Sequence, residues 1–194
     1  LPGQGLSRCK LSDSTSSKAF LLLPLELKQQ YSTHHPYGWN DGSMIPSKGY
    51  QTELAFGVFL KKGIVSFQLR PELVFAQNSS YSTFPSQQSD TIWKSYYDNV
   101  LNKIDAPERF GSGSYFKIFP GQSSLRFNYH KISLGLSTEN LWWGPGIRNA
   151  LLMSNNAPGF PHLSFNSLQP VGSPIGSFEW QLISGKLKGS NILP

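Results

Sequence analysis

The residues best suited to chemistry cluster in one stretch. Trp142-Trp143-Gly144-Pro145-Gly146 sets two indoles beside a stiff turn, and Ser154-Asn155-Asn156-Ala157-Pro158-Gly159 follows shortly after. Indole faces stack on sugar rings while Asn amides pair with hydroxyls, so Trp142, Trp143, Asn155 and Asn156 are candidate glycan contacts. A purely structural reading competes with this one: a rigid turn whose indoles pack inside the fold or lie in a membrane interface.

Other chemistries find less support. A serine nucleophile would sit on a G-x-S-x-G elbow, and Gly111-Ser112-Gly113-Ser114 fails that spacing. His34-His35 lacks imidazole or thiolate partners at ligand spacing, and His130 and His162 stand alone, so no metal site is expected. Asp41, Glu139 and Glu179 each lie near a tryptophan and are the candidates from which a carboxylate pair for glycoside cleavage would come. The alternative for each is a carboxylate that satisfies backbone donors in a turn or faces a polar interior. Loops that cradle nucleotide phosphates are absent from the sequence, and no cofactor is expected.

These residues must be held by β-structure. A polar lead-in over residues 1–18 precedes a first apolar strand, Ala19 to Gln29, with a break at Pro24. Tyr37-Gly38-Trp39-Asn40-Asp41-Gly42 is dense in turn formers and reads as a loop. Thr52, Leu54, Phe56, Val58 and Leu60 then alternate with Gln51, Glu53, Ala55 and Gly57, the period of a strand. After Lys61-Lys62-Gly63, a second strand alternates Val65, Phe67, Leu69, Pro71, Leu73 and Phe75 with Ser66, Gln68, Arg70 and Glu72. Pro71 has no N–H for the ladder and predicts an edge or a bulge there.

Ile92, Trp93, Tyr96, Tyr97, Val100, Leu101 and Ile104 recur at helical spacing, with Asp90 as N-cap and Pro107 as stop, predicting one amphipathic helix around 90–105. Strand character returns at Tyr115 to Phe119 and at Leu125, Phe127 and Tyr129, then slips by one to Ile132, Leu134 and Leu136, which predicts a bulge near His130-Lys131. A long loop is expected from Gly144 to Gly176, followed by a last strand through Phe178, Trp180 and Leu182. Seven or eight strands result. Both a soluble sandwich and a transmembrane barrel fit this rhythm. Strands of about ten residues match a tilted bilayer crossing, for which Tyr50 and Trp180 would be interface residues.

Composition narrows the function classes. Only 14% of residues are charged, against about 25% in an ordinary soluble domain. The net charge of +6 is scattered, with Lys61-Lys62 the sole adjacent basic pair, which argues against nucleic acid. Cys9 is the single cysteine, so neither an internal disulfide nor a thiolate cluster forms. The longest apolar run, Ala19 to Leu25, is far short of the roughly 20 residues of a membrane-spanning helix.

Several ordered motifs carry a resemblance. Trp142-Trp143-Gly144-Pro145-Gly146 with Leu151-Leu152-Met153-Ser154-Asn155-Asn156-Ala157-Pro158 behind it is similar to the signature of the Wzi-type capsule-assembly family, particularly Bacteroidetes-type members. Tyr37 to Gly42, Arg70-Pro71-Glu72, Asp105 to Gly111 and Pro174 to Trp180 also resemble that family, in the same order. The resemblance implies an all-β fold: an antiparallel outer-membrane β-barrel, here an incomplete N-terminal portion over 19–194 behind the 1–18 lead-in. It further implies a non-enzymatic protein that assembles or holds capsular polysaccharide by lectin-like binding, with outer-membrane lipid as surroundings and a monomeric barrel as its state. In that setting Arg148 would attract acidic sugars while Trp142 or Trp143 stacks. A soluble carbohydrate-binding module and a glycan-cleaving enzyme are the competing classes.

Overall fold

A computed structural model of the chain describes residues 18–34, 36–100, 109–146, 150 and 152–189. Two long strands open it, β1 (Lys18–Ser32) and β2 (Gly49–Lys62), paired antiparallel from Lys18↔Lys62 to Ser32↔Gly49. The register shifts once, between Leu23 and Glu26. That is the break expected at Pro24, where the missing N–H makes an extra residue the least costly solution.

Gly63, at φ 58°, and Ile64 turn the chain into β3 (Val65–Leu69) and β4 (Glu72–Ala76). Both pair with β2 on one uninterrupted register, Val58↔Leu69 and Ala55↔Glu72. The expected irregularity at Pro71 therefore lies on the other side. Between Gln68↔Ser124 and Glu72↔Phe119, residues 69–71 face residues 120–123, so the next strand carries one extra residue. This bulge divides that strand into β5 (Tyr115–Phe119) and β6 (Ser124–Tyr129). Gly121 makes it possible: its φ is 59°, and a Cβ would lie 2.4 Å from the Arg70 carbonyl.

β6 returns as β7 (Ile132–Ser137), with Tyr129 directly opposite Ile132. The slip in alternation is thus a two-residue hairpin turn through His130 (φ 51°) and Lys131, and the expected bulge is corrected. Reversal over two residues pairs an odd with an even position, which reads as a slip in the sequence.

β8 (His162–Ser167) lies inside the stretch expected to be loop, because only Leu163 and Phe165 mark its apolar face. The expected last strand is cut into β10 (Gly176–Phe178), which pairs with β9 (Val171–Ser173), and β11 (Gln181–Gly185), which pairs with β8. The helix α1 spans Asp90–Asn99. Ser89, not Asp90, occupies its cap position and makes no side-chain cap bond; Asp90 stands in the first turn, where the helix dipole favours an acid. The expected extension through Leu101 and Ile104 lies outside the described residues.

Nine segments hydrogen-bond into one sheet. Since β3–β4 and β5–β6 each form one bent strand, they make seven consecutive antiparallel strands (9 − 2): β1, β2, β3–β4, β5–β6, β7, β8, β11. This is an up-and-down meander, the connectivity of transmembrane barrels. The outer edges of β1 and β11 have no strand partner among the described residues, so the sheet is open. Among those residues no helix is long and apolar enough to cross a membrane.

Candidate functional site

Alternation alone did not say which face is covered. The structure settles it against the habit of soluble proteins: the polar face is buried and the apolar face is open. Gln51 and Glu53 are 1% and 2% exposed, whereas Phe56 and Leu60 on the other face of β2 are 47% and 40% exposed. The inversion recurs along the meander. Ser66, Glu72, Ser124, Ser133, Ser137, His162 and Ser164 are buried, while Phe67, Phe75, Leu125, Phe127, Leu134, Leu136 and Leu163 are exposed. In water, each such half-exposed apolar side chain forgoes roughly half of the about 1.5–3 kcal/mol that full burial contributes, so a contiguous band of this kind calls for an apolar surrounding.

Both rims of the band carry residues suited to an interface. At one, Tyr31 pairs directly with Tyr50, and Gln29 Nε2 donates to the Tyr50 hydroxyl at 2.8 Å. At the other, Lys18 lies opposite Lys62. From Tyr50 to Lys62 is 12 steps (62 − 50) of β2, about 40 Å at about 3.3 Å per residue. A tilt of about 40° reduces this to about 30 Å of height, the thickness of a hydrocarbon core. Trp180 lies at the rim of the tight turns and packs on Phe165, ring centroids 5.8 Å apart. Tyr50 and Trp180 thus occupy opposite rims.

On the covered face, charged groups form a connected network. Lys28 Nζ lies 2.7 Å from Glu53 Oε1, and the Ser43 hydroxyl is 2.9 Å from Glu53 Oε2 and 2.6 Å from Glu72 Oε2. Gln122 Nε2 donates to Glu72 Oε1 and to Asn140 Oδ1, both at 3.0 Å. Arg70 meets Glu26, and Arg126 meets Glu139, each at 2.6 Å. Of the charged members, Glu53, Glu72 and Arg70 are buried, and each is paired or hydrogen-bonded as a charge removed from water must be. Alternation puts Glu53, Arg70, Glu72 and Arg126 on the polar faces of their strands without marking them as a site, and Ser43, in a connection, carries no local signal.

Two connections supply the cover. The three longest, 33–48, 77–114 and 138–161, leave from the end of the sheet opposite the tight turns Gly63-Ile64 and His130-Lys131, while 168–180, which carries the β9–β10 hairpin, lies at the tight-turn end. Segment 138–161 folds back over the polar face, and segment 33–48 is tied to it: Gly42 N donates to Asn155 O at 2.9 Å and Asn40 N to Asn156 Oδ1 at 2.8 Å. Asn155 Nδ2 returns a bond to Asn40 O at 3.2 Å, and Asn156 Nδ2 donates to Ser154. Asn78, buried, fastens the ends of the third segment through bonds to the carbonyls of Phe110 and Gly113.

The sequence-predicted glycan residues fall within this cover. Trp142 and Trp143 are half-buried; Trp142 Nε1 donates to Gly146 O at 2.8 Å, and Trp143 Nε1 reaches Gln181 Oε1 of β11 at 2.9 Å. Both tryptophans remain partly exposed. Asn155 and Asn156 spend amide groups on holding the two segments together. Arg148 lies outside the described residues.

The three candidate carboxylates do not meet. Asp41 accepts from Trp39 N at 2.7 Å, in the turn role anticipated for it, and Glu139 is engaged with Arg126, Ser124 and Ser137. Glu179 sits between β10 and β11 at the tight-turn rim, beyond the reach of Asp41. His162 holds its ring against the Phe160 carbonyl at 2.8 Å, and no cluster of three metal-ligating side chains occurs among the described residues.

Comparison with known proteins follows the same direction. The profile of the family described as capsule assembly protein Wzi matches residues 27–194. No curated protein and no solved structure matches the chain significantly.

Proposed function

Because the chain belongs to the Wzi capsule-assembly family, we propose that it forms wall strands of an outer-membrane barrel that holds capsular polysaccharide at the cell surface by lectin-like, non-enzymatic binding. The inverted burial carries this reading: a polar face that is covered, and an open apolar face that is about one bilayer high where β1 and β2 pair. Open strand edges are very costly in lipid, so further strands complete the wall beyond β1 and β11. Long connections face outward and tight turns face the periplasm, as in bacterial barrels generally.

In this account Trp142 and Trp143 offer stacking faces inside the barrel, Trp143 reaching as deep as Gln181 near the tight-turn rim, while Asn155 and Asn156 keep the long connections in shape and Arg148 draws acidic sugars. The barrel acts as a monomer. A soluble carbohydrate-binding module fits less well, because its exposed face would be the apolar one. Cleavage fits less well too, since Asp41 and Glu139 are already committed to structural partners.

The test is the double variant Trp142→Ala/Trp143→Ala in the native full-length protein. Capsule retention on cells should fall while membrane assembly and heat-modifiable gel mobility persist. Undiminished retention with correct assembly would discard the stacking role.

A further inference from the structure

The loop Tyr37-Gly38-Trp39-Asn40-Asp41-Gly42 is fixed in its backbone and open in its rings. On either side of the indole the main chain is hydrogen-bonded: Trp39 N donates to Asp41 Oδ2 at 2.7 Å, Asn40 N donates to Asn156 Oδ1 at 2.8 Å, and Asn40 O accepts from Asn155 Nδ2 at 3.2 Å. Asn40 holds φ 54°, a left-handed conformation that asparagine tolerates better than most residues. The side chains are free of such ties. Tyr37 is 68% and Trp39 53% exposed, and among the described residues the Trp39 indole has neither a hydrogen-bond nor a ring partner.

Packing does not account for this arrangement, since a fixed backbone holds out an aromatic ring that burial would stabilise. Trp142 and Trp143 differ: each spends its indole N–H on a protein acceptor, Gly146 O or Gln181 Oε1. Trp39 keeps both an open ring and a donor. A sugar residue is the complement, with a face of C–H groups to lie on the indole and hydroxyl oxygens to accept its N–H. A rigid mount also means that little conformational freedom is lost on binding. Asp41 and Lys48 are the only residues of segment 33–48 with a formal charge at neutral pH, and Asp41 is engaged by Trp39 N. Recognition at this loop is therefore uncharged.

We propose that Trp39, flanked by Tyr37, is a further stacking subsite, one that takes an uncharged sugar residue of a surface polysaccharide. This rests on the lectin-like reading given above. The Asn40–Asn156 bond ties the loop to the segment that bears Trp142 and Trp143, so the subsites belong to one cover.

The experiment uses native full-length protein in detergent and capsular polysaccharide purified from the same cells. Hydroxyl-radical footprinting read by mass spectrometry reports which indoles are open. In the free protein Trp39 should be oxidised faster than Trp142 and Trp143, and the polysaccharide should protect it. Trp39→Ala should weaken polysaccharide binding about fivefold, the size of one aromatic stacking contact, and Trp39→Phe should come back to within about twofold of wild type. The loss in Trp39→Ala should be the same at low and high salt. Unchanged binding by Trp39→Ala with heat-modifiable mobility intact overturns the subsite, and a loss that vanishes at high salt overturns its uncharged character. If Trp39→Ala does not assemble, the footprint of the unaltered protein decides: a Trp39 that is unreactive when free, or still reactive with polysaccharide bound, overturns the subsite. Wild-type protein that binds no polysaccharide overturns the lectin-like reading first and the subsite with it.

Discussion

Ser43 and Glu72 stand 29 positions apart in the chain, yet the serine hydroxyl lies 2.6 Å from the Glu72 carboxylate. The same hydroxyl touches Glu53, so a connecting segment is pinned to two adjacent strands at a point that is 1% exposed. Hydrogen bonds to charged groups are worth more than neutral ones, about 1.5–3 kcal/mol. Ser43→Ala should therefore lower barrel stability by about 2 kcal/mol, and it should speed proteolysis of the 33–48 segment. Unfolding in urea after reconstitution, together with a protease time course, measures both; an unchanged cleavage rate would mean that the segment is held elsewhere.

The Arg126–Glu139 pair tests whether the interior charges act as a unit. Their side chains are 24% and 21% exposed, so solvent screens them only partly. Arg126→Leu should cost about 2 kcal/mol by leaving Glu139 without its cation. Arg126→Leu/Glu139→Leu should cost less than that single change, because no uncompensated charge remains. Additive losses in a double-mutant cycle would show that the two residues contribute independently.

The bulge at Gly121 makes a sharper steric prediction. With φ 59° and the Arg70 carbonyl 2.4 Å from any added Cβ, Gly121→Ala should destabilise by about 3 kcal/mol and reduce assembled barrel. Gly172, in the β9–β10 hairpin, has nothing within 4 Å of an added Cβ. Gly172→Ala should stay within about 0.5 kcal/mol. Assembly yield and unfolding midpoints for the two variants check the contrast.

Much of this architecture was legible in the residues. Period-two alternation located β2, β3–β4 and β6, Pro24 announced the β1 bulge, and the ordered motifs announced the family. Three features stayed hidden for physical reasons. The hairpin at His130-Lys131 looks like a bulge because a two-residue reversal and an inserted residue both swap the parity of the alternation. β8 is masked by its polar half, His162, Ser164 and Asn166, amid Pro and Gly. The covering role of Ser43 and Asn155 depends on contacts across 10 to 115 positions, and no local pattern encodes them.

On the reading proposed above, the apolar face of this sheet meets lipid and the polar face does not. This placement is tested most directly by a cysteine scan along β2 in the native full-length protein, with Cys9→Ser as background and a fluorophore at each position from Gln51 to Leu60. In vesicles carrying quencher on the acyl chains, Leu54, Phe56, Val58 and Leu60 should be quenched, while Gln51, Glu53 and Ala55 should not. Quenching with the opposite phase, or equal quenching at every position, would contradict the account.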